Sequence, residues 1–209
     1  MVGMRPTTLR RWLLGYLHDA KHEEPLWRPQ HDVQDDAVLL GFRDLVEARM
    51  VNALRAQGIG LPTIRLCLAR AREIVGQDHP FSTAQFRTDG NSIFLSITRG
   101  LDEPQLVDLK RSQGVFNRIV APGLKDLDFG PAGAERWWLN RGKRTIVADP
   151  ERSFGQPIVA DHGITTTRVA EAVTAEGSVA RVAKLYELQP RQVRDALAYE
   201  ELLEQRRAA

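Results

Sequence analysis

Residues 178–198, SVARVAKLYELQPRQVRDALA, have the pattern of a helix-turn-helix. The small Ala183 lets a second helix approach closely, and Val193 and Leu197 are predicted to face inward from that helix. Pro190 lies in its first turn, where a missing N–H costs nothing. Helix pairs of this kind cross at about 90–120° in many DNA-reading domains. The same pattern also fits any three-helix core, so it predicts a fold more firmly than a function.

Local capping signals extend this pattern into a helical domain over residues 149–209. Thr165 and Ser178 are predicted N-caps, and Gly177 is a predicted helix stop. Glu187 occupies the turn position where glycine would adopt a left-handed backbone without strain. The last helix is predicted to continue through Leu202 and Leu203, which add apolar surface.

The composition is that of a folded protein, with 43% hydrophobic residues and a net charge of only +2. No apolar run approaches the roughly 20 residues that cross a bilayer, and no secretory leader is visible. The one cysteine, Cys67, excludes a disulfide framework within the chain and a cysteine-rich zinc site. We therefore expect a cytoplasmic protein that does not associate with a membrane.

The N-terminal third, residues 1–78, is predicted to be helical around an irregular insert. A short helix over TTLRRWLL places Leu9, Trp12 and Leu13 on one face. The polar residues 17–40 are predicted to form a loop or a small hairpin. Two amphipathic helices then follow over residues 41–58 and 61–76.

The middle segment, residues 79–148, is predicted to be β-rich. QFRTDGNSIFLSI suggests a hairpin around Asp89-Gly90, and LVDLKRSQGVFNRIV suggests a second pair of strands. AERWWLNRGKRTIVADP suggests a third pair that turns at Asn140–Gly142, with one indole of Trp137-Trp138 in a core and the other outside it or at a partner surface. The predicted fold is therefore α+β: a helical first domain, a small antiparallel β-rich middle segment and a three-helix C-terminal domain.

The sequence offers little support for an enzyme. No nucleophile elbow, Walker loop or dinucleotide fingerprint is present. His18 and His22 are four residues apart, but no third metal ligand fits their pattern, so solvated side chains are the preferred interpretation. We expect no catalysis, no metal and no organic cofactor.

The distribution of charge separates the two ends of the chain. Residues 1–12 contain Arg5, Arg10 and Arg11 and no acid, whereas residues 149–209 contain two more acidic than basic residues. Because positive charge favours phosphate binding, we expect the N-terminal end to bind DNA. The predicted contacts to phosphates and base edges come from Arg5, Thr7, Thr8, Arg10 and Arg11. An ordinary charged helix end is the alternative.

The second helix of the C-terminal pair has groove-binding chemistry in Gln189, Arg191, Gln192 and Arg194. However, its carboxylates at Asp195, Glu200, Glu201 and Glu204 would be brought towards phosphates. We therefore favour partner contacts or dimerisation for these residues over DNA contacts.

The N-terminal motifs resemble the winged helix-turn-helix domain of MerR-type regulators. The resemblance lies in Thr8-Leu9-Arg10, in Asp44-Leu45 with Arg49, and in the run from Gly58 through Leu61 to Ile64-Arg65. That family has a further helix before the recognition helix, for which Met1 leaves no room, so we expect the true start to lie upstream.

The C-terminal segment resembles small uncharacterised helical domains encoded beside nuclease-like toxins. The resemblance lies in Asp149-Pro150, in F-G-x-P, and in Val182-Ala183, Tyr186 and Ala196-Leu197. Together with the MerR-like front, the whole chain resembles a VapB-type antitoxin. The resemblance implies a DNA-binding autorepressor with operator DNA and a PIN-like ribonuclease toxin as partners. We expect a homodimer, because DNA-reading helix-turn-helix proteins commonly pair on two half-sites and Leu202-Leu203 offers apolar surface. A MerR-like transcription regulator without a toxin is the alternative.

Overall fold

The computed structural model describes residues 3–18, 21–32, 38–99, 121–140 and 142–208. The chain is α+β, with two small sheets among its helices. It divides into two compact units. The N-terminal unit comprises Val2–Lys125 with Phe129–Ala134, and the C-terminal unit comprises Asp126–Asp128 with Glu135–Ala209. Within the described residues, no helix is long and apolar enough to span a membrane.

The N-terminal unit begins with helix α1 (Pro6–Leu14) and a hairpin of β1 (Tyr16–His18) and β2 (Lys21–Glu23). Leu9, Trp12 and Leu13 are buried along one face of α1, as their spacing predicts. The two strands are antiparallel, so the hairpin interpretation of the polar insert is confirmed. Gly15 joins helix to hairpin at φ 75°, and a Cβ there would lie 2.4 Å from the Glu23 carbonyl oxygen.

Two helices complete the predicted N-terminal pattern, α2 (Phe42–Ala56) and α3 (Leu61–Val75). Proline in the first turn begins α3, and Gly76 ends it with a left-handed backbone. Cys67 is buried on α3, and burial raises the pKa of its thiol to about 12. This cysteine is therefore a packing residue and a poor nucleophile.

The predicted hairpin around Asp89-Gly90 is wrong, because Ala84–Arg99 forms helix α4. The helix follows a 3₁₀ turn at Pro80–Ser82, and Thr83 Oγ1 accepts a hydrogen bond of 3.1 Å from the Phe86 N–H. Packing against α3 overrides the local turn signal, since the buried positions recur at helical spacing. These buried positions are Phe86, Gly90, Ile93 and Ile97.

After a short helix α5 (Ala121–Leu124) come four strands in the order β3-β4-β5-β6. Their bounds are β3 Leu127–Gly130, β4 Gly133–Trp138, β5 Ile146–Ala148 and β6 Pro157–Val159. β4 pairs antiparallel with β5, opposing Trp137 to Ala148, so the predicted hairpin that turns at Asn140–Gly142 is confirmed. Trp137 is buried and Trp138 is half-buried. The strand pair predicted over residues 106–120 lies outside the described residues.

Three helices follow: α6 (Thr166–Glu176), α7 (Val179–Leu185) and α8 (Pro190–Ala208). The predicted caps are confirmed, since the Thr165 and Ser178 side chains accept hydrogen bonds from Arg168 N and Arg181 N. Strand and helix residues share one buried core of Ile146, Val159, Val169, Val182, Ala183, Leu188, Val193, Ala196 and Tyr199. The predicted inward position of Leu197 is wrong, because it is only half-buried and Tyr199 packs in the core instead.

Candidate DNA and partner interfaces

The predicted DNA-contacting residues lie along α1 and its approach. Arg5, Thr7, Arg10 and Arg11 are exposed, and Thr8 is half-buried. The Arg11 guanidinium lies 4.1 Å from the centroid of the Tyr16 ring, a cation–π distance that ties the helix end to the hairpin. The Leu26 N–H donates to the Trp12 carbonyl at 2.8 Å. Helix α1 itself contributes arginines and no acid to this surface.

The hairpin is fixed to α3 by ionic contacts. Arg65 donates to a Glu23 carboxylate oxygen at 2.6 Å and to the Glu24 carbonyl at 2.8 Å. Leu17, in β1, is 74% exposed. His22 is exposed and has Glu24 as a partner at 3.3 Å, while the His18 side chain lies outside the described residues. The hairpin therefore follows α1 directly and is held to α3 by Arg65.

A buried carboxylate, Asp44, holds the segments that support α1 and the hairpin. It accepts hydrogen bonds from Trp27 Nε1 (2.9 Å), Gly41 N (2.9 Å) and His79 Nε2 (2.9 Å). The Gln30 N–H also donates to it. Burial alone raises the pKa of Asp44, but the hydrogen bonds from His79, Gly41, Gln30 and Trp27 outweigh burial and leave that pKa below its usual value.

Glu47 lies one helical turn further along α2 and is fully buried. Its Oε1 accepts a hydrogen bond of 3.1 Å from the Ser82 N–H, while Oε2 has no partner among the described residues. Burial raises the pKa of this carboxyl well above its usual value, against the opposing effect of the Ser82 and Phe81 N–H groups and of Arg72. Sequence reasoning missed Asp44 and Glu47 as buried groups. Their position on the inner face of α2 is the signal that could have found them.

The C-terminal helix pair keeps part of the predicted contact set exposed. Gln189, Arg191 and Arg194 are exposed at the start of α8. Gln192 is buried: its Oε1 accepts from the Gln189 N–H at 2.8 Å, and its Nε2 lies 3.4 Å from Asp161 Oδ2. Gln192 therefore supports the helix start, and the exposed set reduces to the other three residues.

The sequence suggests that the acidic residues of α8 are solvent-exposed and unpaired. Two of them are instead bonded within the C-terminal unit. Asp195 is buried, and it accepts hydrogen bonds from Lys143 Nζ at 2.6 Å and Thr145 Oγ1 at 2.8 Å. Burial raises its pKa, but Lys143 and Thr145 outweigh that effect and lower it overall. Glu200 accepts hydrogen bonds from the hydroxyls of Thr166 and Thr167.

The F-G-x-P stretch forms a turn with unusual backbone angles. Ser153 and Phe154 both have positive φ, 46° and 54°, and Gly155 follows at 71°. For residues other than glycine, each such angle costs about 1–2 kcal/mol. The Phe154 side chain is 101% exposed. The turn therefore displays an aromatic ring at a cost in backbone energy.

An open cleft of about 530 Å³ lies in the same C-terminal unit, beside α8. Leu139, Ala198 and Leu202 supply apolar walls, and Lys143 and Arg206 supply cations. Tyr199 also lines the cleft, and its buried hydroxyl has no hydrogen-bond partner among the described residues. Burial raises the pKa of that hydroxyl, so it stays protonated and able to donate.

Comparison with known proteins links both units to one relative. Residues 146–199 match the family model described as "Protein of unknown function (DUF433)", a range that begins at β5 and ends at Tyr199. The chain is 29% identical over 168 residues to a Mycobacterium tuberculosis protein named "Putative antitoxin VapB45", covering 76% of this chain and 70% of the relative.

A solved structure shares the fold. The crystal structure of Rv2018 from Mycobacterium tuberculosis has a TM-score of 0.73 and 24% sequence identity, and the match covers 94% of this chain and 92% of that one. The match therefore extends over the N-terminal helices and hairpin as well as the C-terminal helices.

Proposed function

We propose that the chain is the cytoplasmic antitoxin of a type II toxin–antitoxin pair. It would neutralise a PIN-like ribonuclease by direct binding and repress its own operon as a homodimer, without catalysis or a cofactor of its own. The similarity over 168 residues to a protein named as an antitoxin carries this proposal. It is supported by the resemblance of the motifs at the two ends of the chain to a regulator-type front and a toxin-associated C-terminal domain.

The proposed DNA-reading element is α1, with the β1–β2 hairpin as its wing. Three features favour this role: exposed Arg5, Arg10 and Arg11, the absence of acid in α1, and the anchoring of the hairpin by Arg65. Cations that neutralise phosphates release counterions and so provide affinity independent of sequence. Thr7 and Thr8 at the helix start can add hydrogen bonds to phosphates or base edges.

The proposed toxin-binding region is the C-terminal unit. Within it, residues 149–209 contain two more acidic than basic residues, which disfavours DNA as the partner. Asp195 bonds to Lys143, and Glu200 bonds to the hydroxyls of Thr166 and Thr167, so both carboxylates have structural roles. Exposed Arg191, Arg194 and Leu185 are available for protein contacts. Arg and apolar residues are the usual contributors to such interfaces.

The test uses the PIN-like protein encoded beside this chain. We expect the two purified proteins to elute as one complex in gel filtration, and an equimolar amount of the chain to suppress cleavage of a fluorescent RNA substrate. Fluorescence anisotropy with the chain's own promoter fragment supplies the DNA measurement, against a scrambled fragment as control. DNA binding without any effect on the nuclease would favour the regulator without a toxin, and the absence of both activities would overturn the proposal.

A further inference from the structure

The Ser153–Gly155 turn is a rigid support for the exposed Phe154 ring. Ser153 Oγ donates to the Gly163 carbonyl at 3.1 Å, and the Gln156 N–H donates to the Ser153 carbonyl at 3.0 Å. Arg152 Nη1 donates to the Ala160 carbonyl at 2.7 Å. These bonds fix the turn from both sides. Because the backbone of the turn is fixed, only the Phe154 side-chain rotamer remains to be ordered when the ring is covered, which is the property of a partly preorganised binding anchor.

The residues that lead into the turn include one exposed acidic side chain, three residues before Phe154. Glu151 is exposed, and its N–H donates to Asp149 Oδ1 at 3.0 Å. Asp149 in turn accepts from Arg136 Nε at 3.1 Å and is buried. Glu151 is therefore the exposed acidic side chain nearest to Phe154 along the chain, while the Arg152 guanidinium bonds to the Ala160 carbonyl. An aromatic anchor with a neighbouring carboxylate fits an apolar recess that has a cation at its rim.

The cleft beside α8 has those properties. Leu139 and Leu202 form an apolar recess, and Arg206 places a cation at it. Tyr199 also contributes to the lining, although its hydroxyl is buried in the interior and does not face an occupant. A volume of about 530 Å³ is within the usual range for ligand sites and accommodates a phenyl ring with its neighbouring backbone.

We propose that Phe154 of one copy inserts into this cleft on a second copy of the chain, with Glu151 near Arg206. The second copy is favoured as the occupant because each molecule carries both halves of the contact within one unit. Reciprocal insertion also gives the self-complementary interface of a two-fold dimer. The inference deepens the homodimer part of the proposed function and rests on it.

The first test is complementation between two variants, Phe154→Asp and Leu202→Asp. Light scattering at micromolar concentration should show a dimer for the wild type and a monomer for each variant alone. The dimer dissociation constant of each variant should be at least about tenfold higher than that of the wild type. An equimolar mixture should regain dimers, because one variant keeps the cleft and the other keeps the ring. Ile74→Asp is the matched control: Ile74 is an exposed aliphatic side chain on α3 to which no contact is assigned, and this variant should dimerise like the wild type.

The second test locates the ring. A photoreactive benzoyl-phenylalanine at position 154 should crosslink to peptides containing residues 139–143 or 198–206 in a mixture of ¹⁴N- and ¹⁵N-labelled protein, with mixed-isotope products. A monomeric wild type, dimers in both variants, or a mixture that stays monomeric would overturn the proposal. Crosslinking to the toxin alone would also overturn it, since the toxin would then be the occupant. None of these measurements uses DNA or ribonuclease activity, so their failure leaves toxin neutralisation and DNA binding standing. Only a monomeric wild type would also remove the homodimer from the proposed function.

Discussion

Lys143 Nζ donates to the buried Asp195 carboxylate at 2.6 Å, joining the turn between β4 and β5 to helix α8 across 52 residues of sequence. Thr145 donates to the other oxygen of the same carboxylate. The charge that the sequence suggests should repel DNA from α8 is therefore partly neutralised within the C-terminal unit. The start of α8 keeps two exposed arginines, so the assignment of DNA binding to α1 calls for a direct comparison of the two helices.

Replacing Arg10 and Arg11 by alanine should weaken operator binding and flatten its salt dependence. Each phosphate contact contributes about 0.9 to the magnitude of the slope of log K against log salt. The slope of the double variant should therefore be smaller in magnitude by up to about 1.8. The measurement is fluorescence anisotropy with the promoter fragment at several salt concentrations. Circular dichroism would show that α1 is retained.

The matched control for this prediction is the double variant Arg191→Ala with Arg194→Ala, which removes two exposed arginines from the first turns of α8. It should leave both operator affinity and the salt slope close to the wild-type values. The reverse result, in which this variant loses DNA and the α1 variant keeps it, would show that the roles of the two ends are interchanged.

Asp44→Asn should lower the free energy of unfolding at pH 7 by about 3 kcal/mol, because an amide NH₂ would face N–H donors that the buried carboxylate now satisfies. The folded pKa of Asp44 is lowered, so its contribution is present above the ordinary pKa of about 4 and is lost as the pH falls through the folded value. Urea unfolding at pH 7 and pH 3 measures the difference in free energy of unfolding between the wild type and Asp44→Asn. This difference should be smaller at pH 3 than at pH 7.

The control for Asp44→Asn is Glu73→Gln, at a side chain that is 63% exposed and paired with Arg70. A change of less than about 0.5 kcal/mol is expected there. Equal effects of the two substitutions would contradict the role of Asp44 as a buried acceptor.

Glu47→Gln should have the opposite pH profile. Since the folded pKa of Glu47 is raised, the wild type loses stability as the pH rises above the ordinary glutamate pKa, by up to about 1.4 kcal/mol per pH unit. The loss ends at the folded pKa. The glutamine variant has no such proton to release, so it should match the wild type near pH 4 and exceed it at pH 8. If the free energy of unfolding of both proteins fell in parallel as the pH rises, Glu47 would be excluded as the source of the pH dependence.

Glu187→Gly should stabilise the C-terminal unit by about 1 kcal/mol. Glu187 is exposed and has φ 56°, a left-handed angle that glycine adopts without the Cβ penalty. The melting temperature should rise for this variant, while Glu187→Ala, which retains a Cβ, should stay close to the wild type. If Glu187→Gly and Glu187→Ala both raised the melting temperature, the cause would be loss of the glutamate charge and not relief of the backbone angle.

The elements predicted correctly are those encoded by neighbouring residues. The Thr165 and Ser178 caps act on N–H groups three residues ahead, and Pro190 begins α8 within the same short range. The signal at Asp89-Gly90 is equally local, yet it failed. Burial of α4 against α3 depends on residues distant in sequence, which no turn motif reports.

The candidate sites also contain residues that can be predicted from local sequence and residues whose contacts are distant in sequence. Exposed arginines on α1 and at the start of α8 can be predicted from helix position, and the structure exposes them. The partners of Gln192 and Asp195 are 31 and 50 or more residues away, at Asp161, Thr145 and Lys143. The exposed Phe154 ring also depends on bonds from Ser153 and Arg152 to the segment at residues 160–163. Only the folded chain brings these groups together.

The Asp44 carboxylate has a consequence for local motion in the N-terminal unit. Its donors come from the segment at Trp27–Gln30, from Gly41 and from His79. Release of any one of them lets water reach the buried carboxylate, and that water competes with the remaining donors. The Gln30 and Gly41 amide hydrogens should therefore exchange with deuterium in one concerted opening, which makes the hairpin support a single cooperative unit.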